Sequence, residues 1–137
     1  MPALTVLHFS VRSEADSSLE SLGGKVSQAI GSELREGDYH KIPAFKGSLL
    51  GMNVGLYKWG KAGEGVVFRF EGEVEDPIFL ESPQGDLNEI TSLDISQPMA
   101  DLLTTLTGFS WRVPNSADIQ FDRLYGQEVE KRFSEDL

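Results

Sequence analysis

Three glutamates, Glu71, Glu73 and Glu75, occupy alternate positions of the run Val66 to Glu75. In an extended strand, residues two apart share a face at a spacing of about 6.6 Å, so these three form a line of negative charge. Such a line suits pairing with arginine and lysine from a partner. A metal site is a weaker reading, because carboxylates strung along a flat strand do not converge on one point and no D-x-D-x-D-G loop accompanies them. A plain solvated sheet face fits the same pattern: neighbouring charges repel through water by only about several tenths of a kcal/mol each before salt screening.

The charge around the row favours a partner. From Glu64 to Asp94 there are nine carboxylates against one base, Arg69, a net −8; residues 1–63 sum to +1 and residues 95–137 to −3, which together give the −10 of the whole chain. Asp76, Glu81, Asp86 and Glu89 carry the acidity beyond the strand. Charge of one sign attracts partners of the other, so the block argues for a basic protein and against direct contact with nucleic acid or anionic membrane. Tyr57 and Trp59 fall on the same sheet face as Arg69 and the glutamates if Leu50, Met52, Val54 and Leu56 face the core. Large rings beside charge are what protein interfaces use to exclude water from ion pairs; a C-terminal helix lying over those rings is the alternative. The expected partner-contact set is Tyr57, Trp59, Glu71, Glu73, Glu75, Asp76 and Glu81, and reversing Glu71, Glu73 and Glu75 to lysine is expected to abolish binding while sparing the fold. Trp111 reads as core, with Phe109 and Val113 on its face.

Other chemistry finds little support. His8 lies in a strand and His40 in a loop after Asp38, and neither has a G-x-S-x-G or similar nucleophile frame around it. Gly23-Gly24-Lys25-Val26-Ser27 lacks the spacing of a phosphate loop and interrupts a helical stripe. No catalytic residue, metal or cofactor is assigned. The chain has no cysteine, which removes disulfides and thiolate chemistry and suits a reducing cytoplasm.

The elements that position these residues follow from hydrophobic period. Ala3 to Val11 reads as a strand. Asp16, Ser17 or Ser18 then caps a helix bearing Leu19, Leu22, Val26, Ile30 and Leu34, weakened by Gly23-Gly24 and ended by Gly37. From Leu49 the period becomes two, and Leu50 to Leu56 pairs with Val66 to Glu75 in a hairpin through Gly60 to Gly65. Ile78 to Glu81 and Ile90 to Ile95 are further strands. Ser96 caps a helix with Pro98 in its first turn and Gly108 at its end. Phe109 to Val113 is a candidate strand; residues 118–134 fit a helix, with Asp118 as cap and Gly126 as a candidate break, or partly a strand.

These segments predict one α+β domain spanning residues 1–137, a mostly antiparallel sheet built round a central meander and packed with two to three helices. The start lacks a charged, long-apolar leader and no run reaches the roughly 18 apolar residues of a membrane span, so the sequence reads as cytoplasmic. An acidic, cysteine-free, single-domain α+β chain of this size resembles the immunity proteins of bacterial polymorphic toxins, including those of contact-dependent inhibition. The resemblance implies a cytoplasmic protein that binds one toxin domain, commonly a nuclease, and blocks its active-site surface without chemistry of its own. Phage-borne inhibitors of nucleic-acid enzymes share that profile. The competing class is a small enzyme or ligand-binding module with the acids incidental, which convergence of His8 or His40 with a carboxylate in a concave apolar pocket would favour.

Overall fold

The computed structural model describes residues 4–61, 65–74 and 90–135. Its elements run β1 (Leu4–Ser13), α1 (Leu19–Ile30), β2 (Arg35–Tyr39), β3 (Ile42–Leu49), β4 (Met52–Lys61), β5 (Gly65–Glu73), β6 (Ile90–Asp94), α2 (Ser96–Thr107) and α3 (Ser116–Glu135). They form a six-stranded sheet in the order β2-β3-β4-β5-β1-β6. The meander β2 to β5 is antiparallel throughout, β1 joins β5 antiparallel, and β6 adds to β1 in parallel. This is an α+β fold.

Alternation along β4 and β5 divides the sheet into two faces. Met52, Val54, Leu56, Phe68 and Phe70 join Phe9 and Val11 of β1 on one face, where Leu22 and Val26 of α1 and Met99, Ala100 and Leu103 of α2 close the main core. Trp111 belongs to this core, as expected. Tyr57, Trp59, Val67, Arg69, Glu71 and Arg12 lie on the other face, over part of which α3 packs. The sheet is therefore packed against α1 and α2 on one face and partly covered by α3 on the other.

Ser18 caps α1, accepting from the Ser21 N–H. Contrary to expectation, Gly23 and Gly24 lie inside a regular helix: a Cβ on Gly23 would come within 3.2 Å of the Phe45 ring, so the glycine permits close packing of α1 on β3. The helix also stops earlier than Gly37. Gly31, at φ 67°, turns the chain out, and the Ser27 hydroxyl takes the Leu34 N–H, which sends Leu34 into the core from outside the helix. Arg35–Tyr39 and Ile42–Leu49 then make a hairpin that the periodicity does not reveal. Leu50 is not in a strand; it occupies the β3–β4 turn at φ 50° and is exposed.

The expected hairpin is present as β4 and β5, and Ile90–Asp94 is a strand. Ile78 to Glu81 lies outside the described residues. α2 begins at Ser96, but the capping oxygen belongs to Asp94, whose Oδ1 accepts from the Ser96 N–H at 2.9 Å. Gly108 ends it at φ 80°. Around Phe109 to Val113 there is only a bridge from Arg112 to Arg12. The C-terminal segment is one helix that passes through Gly126, opened by a reciprocal pair: Asn115 Oδ1 accepts from the Asp118 N–H and Asp118 Oδ2 from the Asn115 N–H.

Candidate functional site: an acidic cavity beside a clamped helix

The face under α3 has two halves. In the covered half, register brings Tyr57, Arg69 and Arg12 side by side on β4, β5 and β1. Asp122 of α3 reaches down to all three strands. It takes both terminal nitrogens of Arg12, at 3.1 and 2.7 Å, and the Trp59 indole N–H at 3.0 Å, and lies 3.9 Å from Arg69. One turn earlier Asp118 pairs with Arg112 and lies 3.7 Å from Arg12. Burial works against the charge on Asp118, but the Arg112 guanidinium, the Asn115 N–H and Arg12 together hold its carboxyl below the ordinary value of 3.8. Phe121 and Tyr125 stack on each other, and Tyr125 meets Trp59 edge-on with ring centroids 4.6 Å apart. The Arg69 guanidinium lies over the Trp59 and Tyr57 rings at 4.8 and 5.4 Å.

This clamp decides the fate of the two expected aromatic contacts. Tyr57 and Trp59 are 4% and 7% exposed, so they are core beneath α3 and not an exposed contact surface. The sequence left that alternative open; what it could not show is Asp122, which fixes the helix over them.

In the other half the floor is low. Glu71 lies between Gly55 of β4 and Ser10 of β1. The Tyr39 ring fills the space above Gly55, where a Cβ would sit 2.4 Å from it. Beyond them a cavity of about 370 Å³ opens, whose lining includes His8, Ser10, Tyr39, Arg69, Glu71, Glu73, Asp94 and Ser96. Its three carboxylates against Arg69 leave two negative charges with histidine neutral.

Each carboxylate uses one oxygen for the fold. Glu71 Oε1 accepts from the Tyr57 hydroxyl at 2.6 Å and from Arg69. Glu73 Oε1 meets His40 Nε2 at 2.8 Å and the Tyr39 hydroxyl at 3.4 Å. Asp94 Oδ1 accepts from the Ser96 hydroxyl at 2.5 Å and from the Ser96 N–H. Those two bonds, opposed by burial and helped by His8, hold the Asp94 carboxyl below its ordinary value. Burial, reinforced by the Glu71 charge, pushes the Tyr57 hydroxyl far upward, so it remains a donor. The Ser96 hydroxyl donates to Asp94 and accepts from the Ser10 N–H, so both its roles are structural.

The predicted contact residues therefore separate. Glu71 is 18% exposed and bonded inward, whereas Glu73 is 50% exposed at the cavity mouth. Glu75, Asp76 and Glu81 lie outside the described residues. The structure adds Asp94, Tyr39 and the two histidines, brought beside the β5 glutamates from three other strands and the β2–β3 turn. Among the described residues no three of His, Cys, Asp or Glu are grouped so as to hold a metal ion, and no helix is long and apolar enough to cross a membrane. No family model, curated protein or solved structure matches the chain.

Proposed function

We propose that the chain is an acidic protein-binding inhibitor, of the immunity-protein kind, that neutralises a basic partner such as a nuclease toxin in the cytoplasm by covering its active-site surface. The observation that supports this most is the placement of net negative charge on the half of the sheet that α3 leaves open. A nuclease must present basic groups to phosphate, and a complementary acidic surface steers such a partner into encounter and fixes its register. Burial of Tyr57 and Trp59 moves the contact from the rings to Glu73, Asp94 and the cavity they border, with Glu75, Asp76 and Glu81 extending the acidity along the chain.

A small-ligand or enzymatic module is the second reading, favoured by convergence of His8 and Asp94 on one cavity. Against it, the cavity wall is largely polar and the Ser96 hydroxyl is fully engaged. The test is capture of partners from the native host at about 50 mM and then about 500 mM salt, with each captured protein assayed for activity. Support requires a basic protein that binds better at low salt and loses its activity in the complex. Absence of any such inhibited partner removes the reading.

A further inference from the structure

We propose that the cavity between Tyr39, Glu71, Glu73 and Asp94 is a seat for one arginine side chain projected by the basic partner. This rests on the inhibitor reading and names the chemistry of its central contact. Its volume of about 370 Å³ lies in the range of ligand-sized clefts, about 300–1,000 Å³. It is a built feature: Gly55 admits the Tyr39 ring on one side, Ser10 keeps the other side low, and Tyr39 is itself almost wholly buried. Among the described residues, Glu71, Glu73 and Asp94 each spend one oxygen on internal partners and have no hydrogen bond on the other.

Carboxylates brought from two strands to the lining of one cleft call for several donors pointing in different directions. A guanidinium supplies five N–H donors in a rigid planar fork that matches carboxylates two bonds at a time, whereas an ammonium is a compact, more strongly hydrated charge with three donors and no such fork. The same sheet face already seats two arginines this way: Arg12 forks onto Asp122, and Arg69 lies between Glu71 and the Tyr57 and Trp59 rings. The cavity continues that row with a negatively charged position.

The probe is N-acetyl-arginine methylamide, titrated into the purified protein and followed by amide NMR, beside the lysine analogue and free arginine. The blocked arginine should give saturable shifts centred on His8, Ser10, Glu71, Glu73 and Ser96, with the lysine analogue weaker. Glu73→Gln and Asp94→Asn should each weaken it by about tenfold, the loss of one charge-assisted hydrogen bond. Asparagine can still cap α2, and the spectrum of each variant reports its fold. Shifts scattered over the surface, equal binding of lysine, or no effect of either substitution overturns the proposal. Tighter binding of free arginine assigns the cavity to a metabolite and overturns it too. The two readings fail separately. An inhibited partner that binds both variants as well as wild type removes the arginine seat and leaves the inhibitor. Arginine seated in the cavity with no inhibited partner does the reverse.

Discussion

Replacing Asp122 by alanine removes the acceptor for both terminal nitrogens of Arg12 and for the Trp59 indole. Arg12 is 1% exposed, so its charge cannot turn to water, and the nearest remaining carboxylate, Asp118, is 3.7 Å away and already committed to Arg112. Breaking a buried ion pair from one side costs about 3–5 kcal/mol. In a domain of this size that corresponds to a fall in Tm on the order of 10–20 °C. Urea unfolding followed by tryptophan fluorescence measures it, with Trp59 reporting directly on the α3 contact. The reasoning makes a second, sharper demand. Arg12→Met with Asp122→Leu removes both charges and replaces them with apolar volume, so the double variant should recover most of the loss. A loss under about 1 kcal/mol for Asp122→Ala, or a double variant no better than the sum of the singles, refutes the view that this pair holds α3 over the aromatic rings.

Other expectations follow from the same geometry. Glu73→Lys, at a half-exposed rim, should change stability by less than about 0.5 kcal/mol, whereas Glu71→Lys places a cation against Arg69 and should cost about 2–3 kcal/mol; thermal melts of the two separate them. The triple lysine variant suggested by sequence is therefore a poor probe of binding, since Glu71 holds the fold. Gly55→Ala drives a methyl group into the Tyr39 ring and should destabilise by about 1–3 kcal/mol in urea unfolding. Asp118 has a folded-state value below 3.8, so its contribution is complete above that value and is lost as pH falls through the folded value. Near-ultraviolet circular dichroism should show α3 contacts loosening below about pH 3.8, and Asp118→Asn should flatten that dependence while lowering stability at neutral pH.

What the sequence made legible had a local signature. The β4–β5 hairpin was readable because Met52 to Leu56 and Val66 to Phe70 alternate cleanly, and α2 because Pro98 and Gly108 bracket an apolar stripe. The β2–β3 hairpin was not, since Leu34 continues the helical spacing of α1 while the chain has already turned at Gly31. Pro43 and Gly47 also dilute the strand pattern of β3. The acidity of the candidate site was visible in composition, but its shape was not. Arg12 and Asp122 are separated by 110 positions, and Asp94 reaches the Glu73 side of the sheet only because β6 pairs in parallel with β1. Contacts of that range leave no periodic trace in a single sequence.

The most direct measurement is the affinity of a basic partner captured from the host for wild-type protein and for the Glu73→Lys, Asp94→Asn double variant, each at about 50 and about 500 mM salt. Wild type should bind tightly at low salt and more weakly at high salt, while the double variant, melting normally, should lose binding and inhibition together. A folded double variant that binds and inhibits like wild type would contradict the account.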